Sequence, residues 1–78
     1  MIYENVKHSV NIAGHATSIT LEAPFWEAFK EIAAARHLSI NALITEIDNN
    51  RQSANLSSAI RIFVLKHYQQ SLEKHDTE

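Results

Sequence analysis

The chain has 78 residues, 45% of them apolar and 21% charged, with one Gly, one Pro, no cysteine and a formal net charge of −2. That composition describes one compact helical domain and not a disordered segment. It excludes disulfides and thiolate metal sites, and a small fold without staples points to the cytoplasm. The acidic balance disfavours indiscriminate attraction to phosphate, although a local basic patch can coexist with it. So short a chain buries a modest share of its unfolded surface, and a second copy is expected to supply missing core.

Met1 to Lys7 has no basic stretch followed by an apolar one, and the longest strongly apolar run, Ile62 to Leu65, is too short to span a bilayer. No membrane association is expected. From 6 to 21 the pattern has period two and reads as a strand or a β-hairpin. With Ala13 and Gly14 as the turn, Ile12 falls opposite His15 and Val10 opposite Thr17. One face then carries Val6, Val10, Ile12, Ile19 and Leu21, and the other Lys7, Ser9, Asn11, Ala16, Ser18 and Thr20. Ala-Gly is a poorer two-residue turn than Asn-Gly, because a type I′ turn needs positive φ at both positions. Thr17 to Leu21 is therefore the firmer strand. A strand alone leaves unpaired backbone groups, so it is expected to be completed by the same strand of a second copy.

Helix one is expected over 23–36, where Pro24 suits the first turn, Glu27 lies near the positive end, and Phe25, Phe29, Ile32 and Ala33 share a face. His37 stands where Gly often ends a helix and tolerates a left-handed backbone better than most residues. Ser39 reads as the next N-cap, with Leu38 and Leu43 spaced as a hydrophobic staple. Helix two, 39–49, presents Ile40, Leu43, Ile44 and Ile47, and the polar stretch 48–54 reads as a linker. Asn55 caps helix three, 55–72, whose Leu56, Ile60, Phe63, Val64 and Tyr68 share one face while Ile62 and Leu65 make a second apolar surface. That second surface suggests a partner or a deep groove. The polar residues 73–78 are expected to fray.

No nucleophile elbow, phosphate loop or acid–base pair is legible, so no enzyme and no cofactor are expected. The five His lack metal-site spacing, and Asp48-Asn49-Asn50 opens like a calcium loop without the Gly and Glu such a loop requires. Phe25, Trp26 and Phe29 follow helix spacing and read as core or dimer packing, not base stacking. Lys7, His8 and His15 lie near the ribbon and can reach phosphates. Arg51, Arg61, Lys66 and His67 are candidates for a basic flank on helix three.

The order Thr17-Ser18-Ile19-Thr20-Leu21, then Phe25-Trp26-Glu27-Ala28-Phe29-Lys30-Glu31-Ile32-Ala33, then Leu38-Ser39-Ile40-Asn41-Ala42-Leu43-Ile44 resembles the ribbon-helix-helix family of bacterial DNA-binding proteins. Gly14 to Glu22 with Phe25-Trp26, and Asn55 to Arg61, are similar to a small subfamily with an extra C-terminal helix. The resemblance implies a mostly α fold with a short β-ribbon, as a homodimer whose strands pair antiparallel across a twofold axis and enter the major groove. It implies base contacts from Ala16, Ser18 and Thr20, and a phosphate anchor at Ser39, Ile40 and Asn41. Lys7 and His15 would add phosphate contacts beside the ribbon. The dimer interface would comprise Thr17, Ile19, Leu21, Trp26, Phe29 and Ile44. A sequence-specific transcriptional regulator binding double-stranded DNA is the expected function. The alternative is an antitoxin-like protein-interaction module that keeps the scaffold and meets a partner through Ile62 and Leu65 of helix three.

Overall fold

The computed structural model describes residues 4–50 and 55–76, with side chains as far as Leu72. An antiparallel hairpin, β1 (Asn5–Ile12) and β2 (His15–Glu22), is followed by α1 (Ala23–Ala35), α2 (Ile40–Asn50) and α3 (Leu56–Asp76). The expected class, a β-ribbon followed by three helices, is what the chain adopts. The register pairs Ile12 with His15, Val10 with Thr17, His8 with Ile19 and Val6 with Leu21. Because side chains alternate, this register sends the apolar set inward and Lys7, Ser9, Asn11, Ala16, Ser18 and Thr20 outward. The turn is type I′, with φ 51° at Ala13 and 85° at Gly14.

Helix ends follow local chemistry. Pro24 lies at the start of α1. At its other end His37 takes φ 58°, and the amides of His37 and Leu38 bond to the carbonyls of Ala34 and Ala33, 3.1 and 2.9 Å away. Ser39 Oγ accepts from the Ala42 amide at 3.0 Å, and Asn55 Oδ1 from the Ser58 amide at 3.2 Å. The core draws on every element: Val10, Ile19 and Leu21 from the hairpin, Phe29, Ile32 and Ala33 from α1, Leu43, Ile44 and Ile47 from α2, and Ile60 and Val64 from α3.

Three expectations are corrected. The strand from Thr17 to Leu21 does not need a second copy to gain a neighbour, because β1 of the same chain pairs along it. Ala13 enters the left-handed region that the turn demands, and the burial of Val10 repays that strain. The linker expected from 48 begins later, since α2 continues to Asn50, whose Nδ2 donates to the Glu46 carbonyl at 2.9 Å. Residues 51–54, the rest of that linker, lie outside the described residues. Finally, α3 extends to Asp76, past the expected end at 72. Glu73 and Lys74 are good helix formers, so a polar stretch there does not by itself end the helix.

Two long-range pairs tie the elements together. Arg61 of α3 holds Glu22 at the end of β2 in a two-pronged pair, Nε to Oε1 at 2.8 Å and Nη2 to Oε2 at 3.1 Å. His8 of β1 stacks on Trp26 of α1, with centroids 3.7 Å apart and planes 10° from parallel, and its buried Nε2 has no partner.

Replacing Ala13 with Asn, which tolerates positive φ, is expected to stabilise the fold by about 0.5–1 kcal/mol in urea or thermal unfolding. An unchanged midpoint would remove turn strain from the account. Acid acts through the two long-range pairs. Burial first, then the Lys30 charge, opposed by Glu27, holds His8 below its ordinary 6.5. The Arg61 hydrogen bonds hold Glu22 below its ordinary 4.5. Both groups therefore contribute stability that is complete above those ordinary values and is lost as pH falls through the depressed ones. His8→Phe keeps the stack and is expected to flatten the decline in melting temperature below pH 6.5. Arg61→Ala is expected to flatten the decline below pH 4.5. Unaltered pH profiles would refute these assignments.

Candidate nucleic-acid interface

A two-residue turn closes on a hydrogen-bonded pair, so Ile12 and His15 bond to each other and the alternation continues down the ladder. Lys7–Thr20, Ser9–Ser18 and Asn11–Ala16 are then the close, non-hydrogen-bonded pairs of the outer face. All six are exposed. Their small side chains make a flat polar surface with Lys7 as its cation, and an open depression of about 570 Å³ runs over it from Lys7, Ser9 and Asn11 to Ala16, Ser18 and Asn41.

The same alternation points the Asn11 amide away from β2, and it donates to Asn41 Oδ1 at 3.0 Å. This bond joins the ribbon to the first turn of α2. Ser39 Oγ is committed to the Ala42 amide, whereas the amides of Ile40 and Asn41 lie where a helix has no internal acceptor for them. Those two amides and the positive helix end can receive an anion beside the ribbon face. The Ile40 side chain packs against the core, so the backbone of this residue is its polar contribution.

The two hairpin edges are unequal. The outer edge of β1 is covered in part by α2 through Asn11 and Asn41. The outer edge of β2 turns the amides and carbonyls of Ala16, Ser18 and Thr20 outward, beside a groove of about 780 Å³ lined by Ile12, His15, Thr17, Ile19, Leu56 and Ser57. Those three outward-bonding positions carry no Lys or Pro to block pairing.

The expected site residues divide accordingly. Ala16, Ser18, Thr20 and Lys7 share one face, His15 lies exposed beside the turn, and Ser39, Ile40 and Asn41 adjoin that face through Asn11. Of the six expected at a dimer interface, Leu21, Phe29 and Ile44 have no exposed surface and Ile19 has 4%, because they form the chain's own core. Within the single chain those four serve the core. Thr17 is exposed and Trp26 half-buried. His8 faces Trp26 and not a phosphate. On α3, Arg61 is engaged by Glu22, His67 sits edge-on to Tyr68 at 5.3 Å, and Lys66 is exposed. Arg51 lies outside the described residues. Sequence reasoning missed the Asn11–Asn41 and Glu22–Arg61 contacts, which join residues 30 and 39 positions apart and leave no local pattern.

Among the described residues no helix is long and apolar enough to cross a membrane. No curated protein matches the chain. One solved structure, an uncharacterized protein from Bordetella pertussis Tohama I, is similar at 30% identity with a TM-score of 0.78 over 92% of this chain. The match covers 62% of that protein's chain. The family model for the ribbon-helix-helix domain matches residues 5–68, from the first strand to well inside α3. Domains of this kind are regulatory DNA-binding modules rather than enzymes, and they generally act as dimers. With its ribbon, its two capped helices and this match over most of its length, the chain belongs to the ribbon-helix-helix domain family.

Proposed function

We propose that the protein is a sequence-specific DNA-binding regulator of the bacterial cytoplasm, acting as a homodimer joined through the open edges of β2. The observation that carries this reading is the bond from the Asn11 amide to Asn41 Oδ1, which makes the ribbon face and the anion-receptive start of α2 one surface. Pairing β2 antiparallel to its copy about Ser18 sets Ala16 against the partner's Thr20, brings no like charges together, and satisfies the outward amides. The two central strands, about 5 Å apart, enter a major groove about 12 Å wide. Twist of about 20–25° per strand turns the flanking β1 strands toward the groove walls, so that Lys7 meets phosphate. Ser18 and Thr20 then hydrogen-bond base edges, the Thr20 methyl meets a thymine methyl, and Ala16 permits close approach. His15 and the amides of Ile40 and Asn41 add phosphate contacts.

A second reading, a dimeric protein-interaction module without strong DNA reading, is favoured by the net charge of −2 and by the apolar side chains that α3 leaves exposed. Selection of bound fragments from genomic DNA at low salt separates the two. Under the DNA reading, affinity falls steeply as salt rises, and Lys7→Ala lowers the steepness by about one ion per chain. Ser18→Ala and Thr20→Ala each cost about 1 kcal/mol on the preferred fragment and little on random duplex. Absence of binding to any fragment at low salt would replace this reading with the second.

A further inference from the structure

Helix α3 is apolar on two opposite sides. Ile60 and Val64 are buried at 0% and 4% exposure, whereas Ile62, Leu65, Tyr68 and Leu72 stand 48%, 55%, 41% and 64% exposed. Ser58, Ile62, Leu65, Gln69 and Leu72 follow one another at intervals of four, three, four and three residues. That repeat forms a seam along one side of a helix, of the kind a second helix packs against. The four exposed apolar or aromatic side chains offer on the order of 400 Å², a patch of the size that monomers tend to use. Two such faces with their polar margins bury on the order of 1,000 Å², enough for a specific pairing.

We infer that this seam is a self-association surface, on which α3 packs antiparallel against α3 of a second copy. The order of side chains sets the register. With the twofold axis between Ile62 and Leu65, Ile62 meets the partner's Leu65 in two central apolar layers, Ser58 meets the partner's Gln69 on either side, and Leu72 reaches the partner's Asn55 at the ends of the seam. A polar pair in such a seam penalises shifted registers, since a slip would bury Gln69 against leucine. The margins are compatible in charge. Lys66 lies opposite the partner's Ala59, and Arg61, already neutralised by Glu22, lies opposite the partner's Tyr68. The seam lies across the helix from Ile60 and Val64, so the two domains would project to opposite sides of the paired helices. The seam adjoins the β2 edge only at the first turn of α3, where Leu56 and Ser57 line the groove beside that edge, and it needs no DNA.

The test is the mass of the full chain in solution, by sedimentation over micromolar to hundred-micromolar concentrations, for the parent and for the double variant Ile62→Glu, Leu65→Glu. Both positions are exposed, and circular dichroism verifies that the variant folds. The expected result is that the variant stops at a mass no more than half of what the parent reaches at the highest concentration. An unchanged mass would overturn the inference and leave the seam to a different protein. Because the chain has no cysteine, Ile62→Cys and Leu65→Cys provide an independent check. Mixed under mild oxidation they are expected to cross-link several-fold more than either alone. A mixture that cross-links no better would overturn the antiparallel register.

Discussion

The pairing of β1 with β2 in a single chain is the constraint from which most of the structure follows. Its register is held at one end by the Ala13-Gly14 turn and along its length by the burial of Val10, Ile19 and Leu21. A slip of one residue on either strand would carry that strand's apolar set to solvent. The same alternation decides which backbone groups point outward. On β1 the Asn11 amide meets Asn41 and draws the start of α2 against the ribbon. On β2 the outward groups of Ala16, Ser18 and Thr20 stay on an open edge. One ladder therefore fixes the exposed face, its link to the second helix, and the edge at which another strand can add.

That constraint changes what a second copy has to provide. A ribbon of one strand per chain would need its partner to complete both sheet and core. Here the hairpin completes the sheet, and α3 closes the core from the other side with Ile60 and Val64. Burying each such side chain contributes roughly 2 kcal/mol, so the additional helix and strand offset the small size of the chain. Glu22 and Arg61 fix where α3 docks, and the ring contacts among His8, Trp26, Phe29 and Phe63 run from β1 through α1 to α3.

Much of this was legible in the sequence because it is local. Period two placed every hairpin side chain on its side of the sheet, and Pro24, His37, Ser39 and Asn55 marked helix ends by the hydrogen bonds their backbones and side chains can make. The Ala-Gly turn is a weak local signal because propensity counts only local strain, and the strain at Ala13 is met by packing elsewhere. Leu21, Phe29 and Ile44 show a related limit: a strand or helix pattern identifies a face that must be buried without identifying what buries it. The candidate site was half legible. Its outer face follows from alternation, but its junction to α2 rests on a bond between residues 30 positions apart.

The two surfaces that the fold leaves open are both suited to twofold pairing, and that has a geometric consequence. An open β2 edge can pair with its own copy, and so can an antiparallel α3 seam, because each presents the same patch to itself. A chain with one such surface stops at a dimer. With two, assembly ends in a closed tetramer when the two axes intersect at right angles, and otherwise continues as a row of dimers. In a row, each dimer would offer its own ribbon face, and small side chains such as Ala16, Ser18 and Thr20 would gain discrimination by repetition where each alone gives little. Under the proposed function, the sparse chemistry of the outer face and the second apolar side of α3 would then be two parts of one arrangement, in which selectivity would come from the number and spacing of ribbons instead of the reach of any single residue.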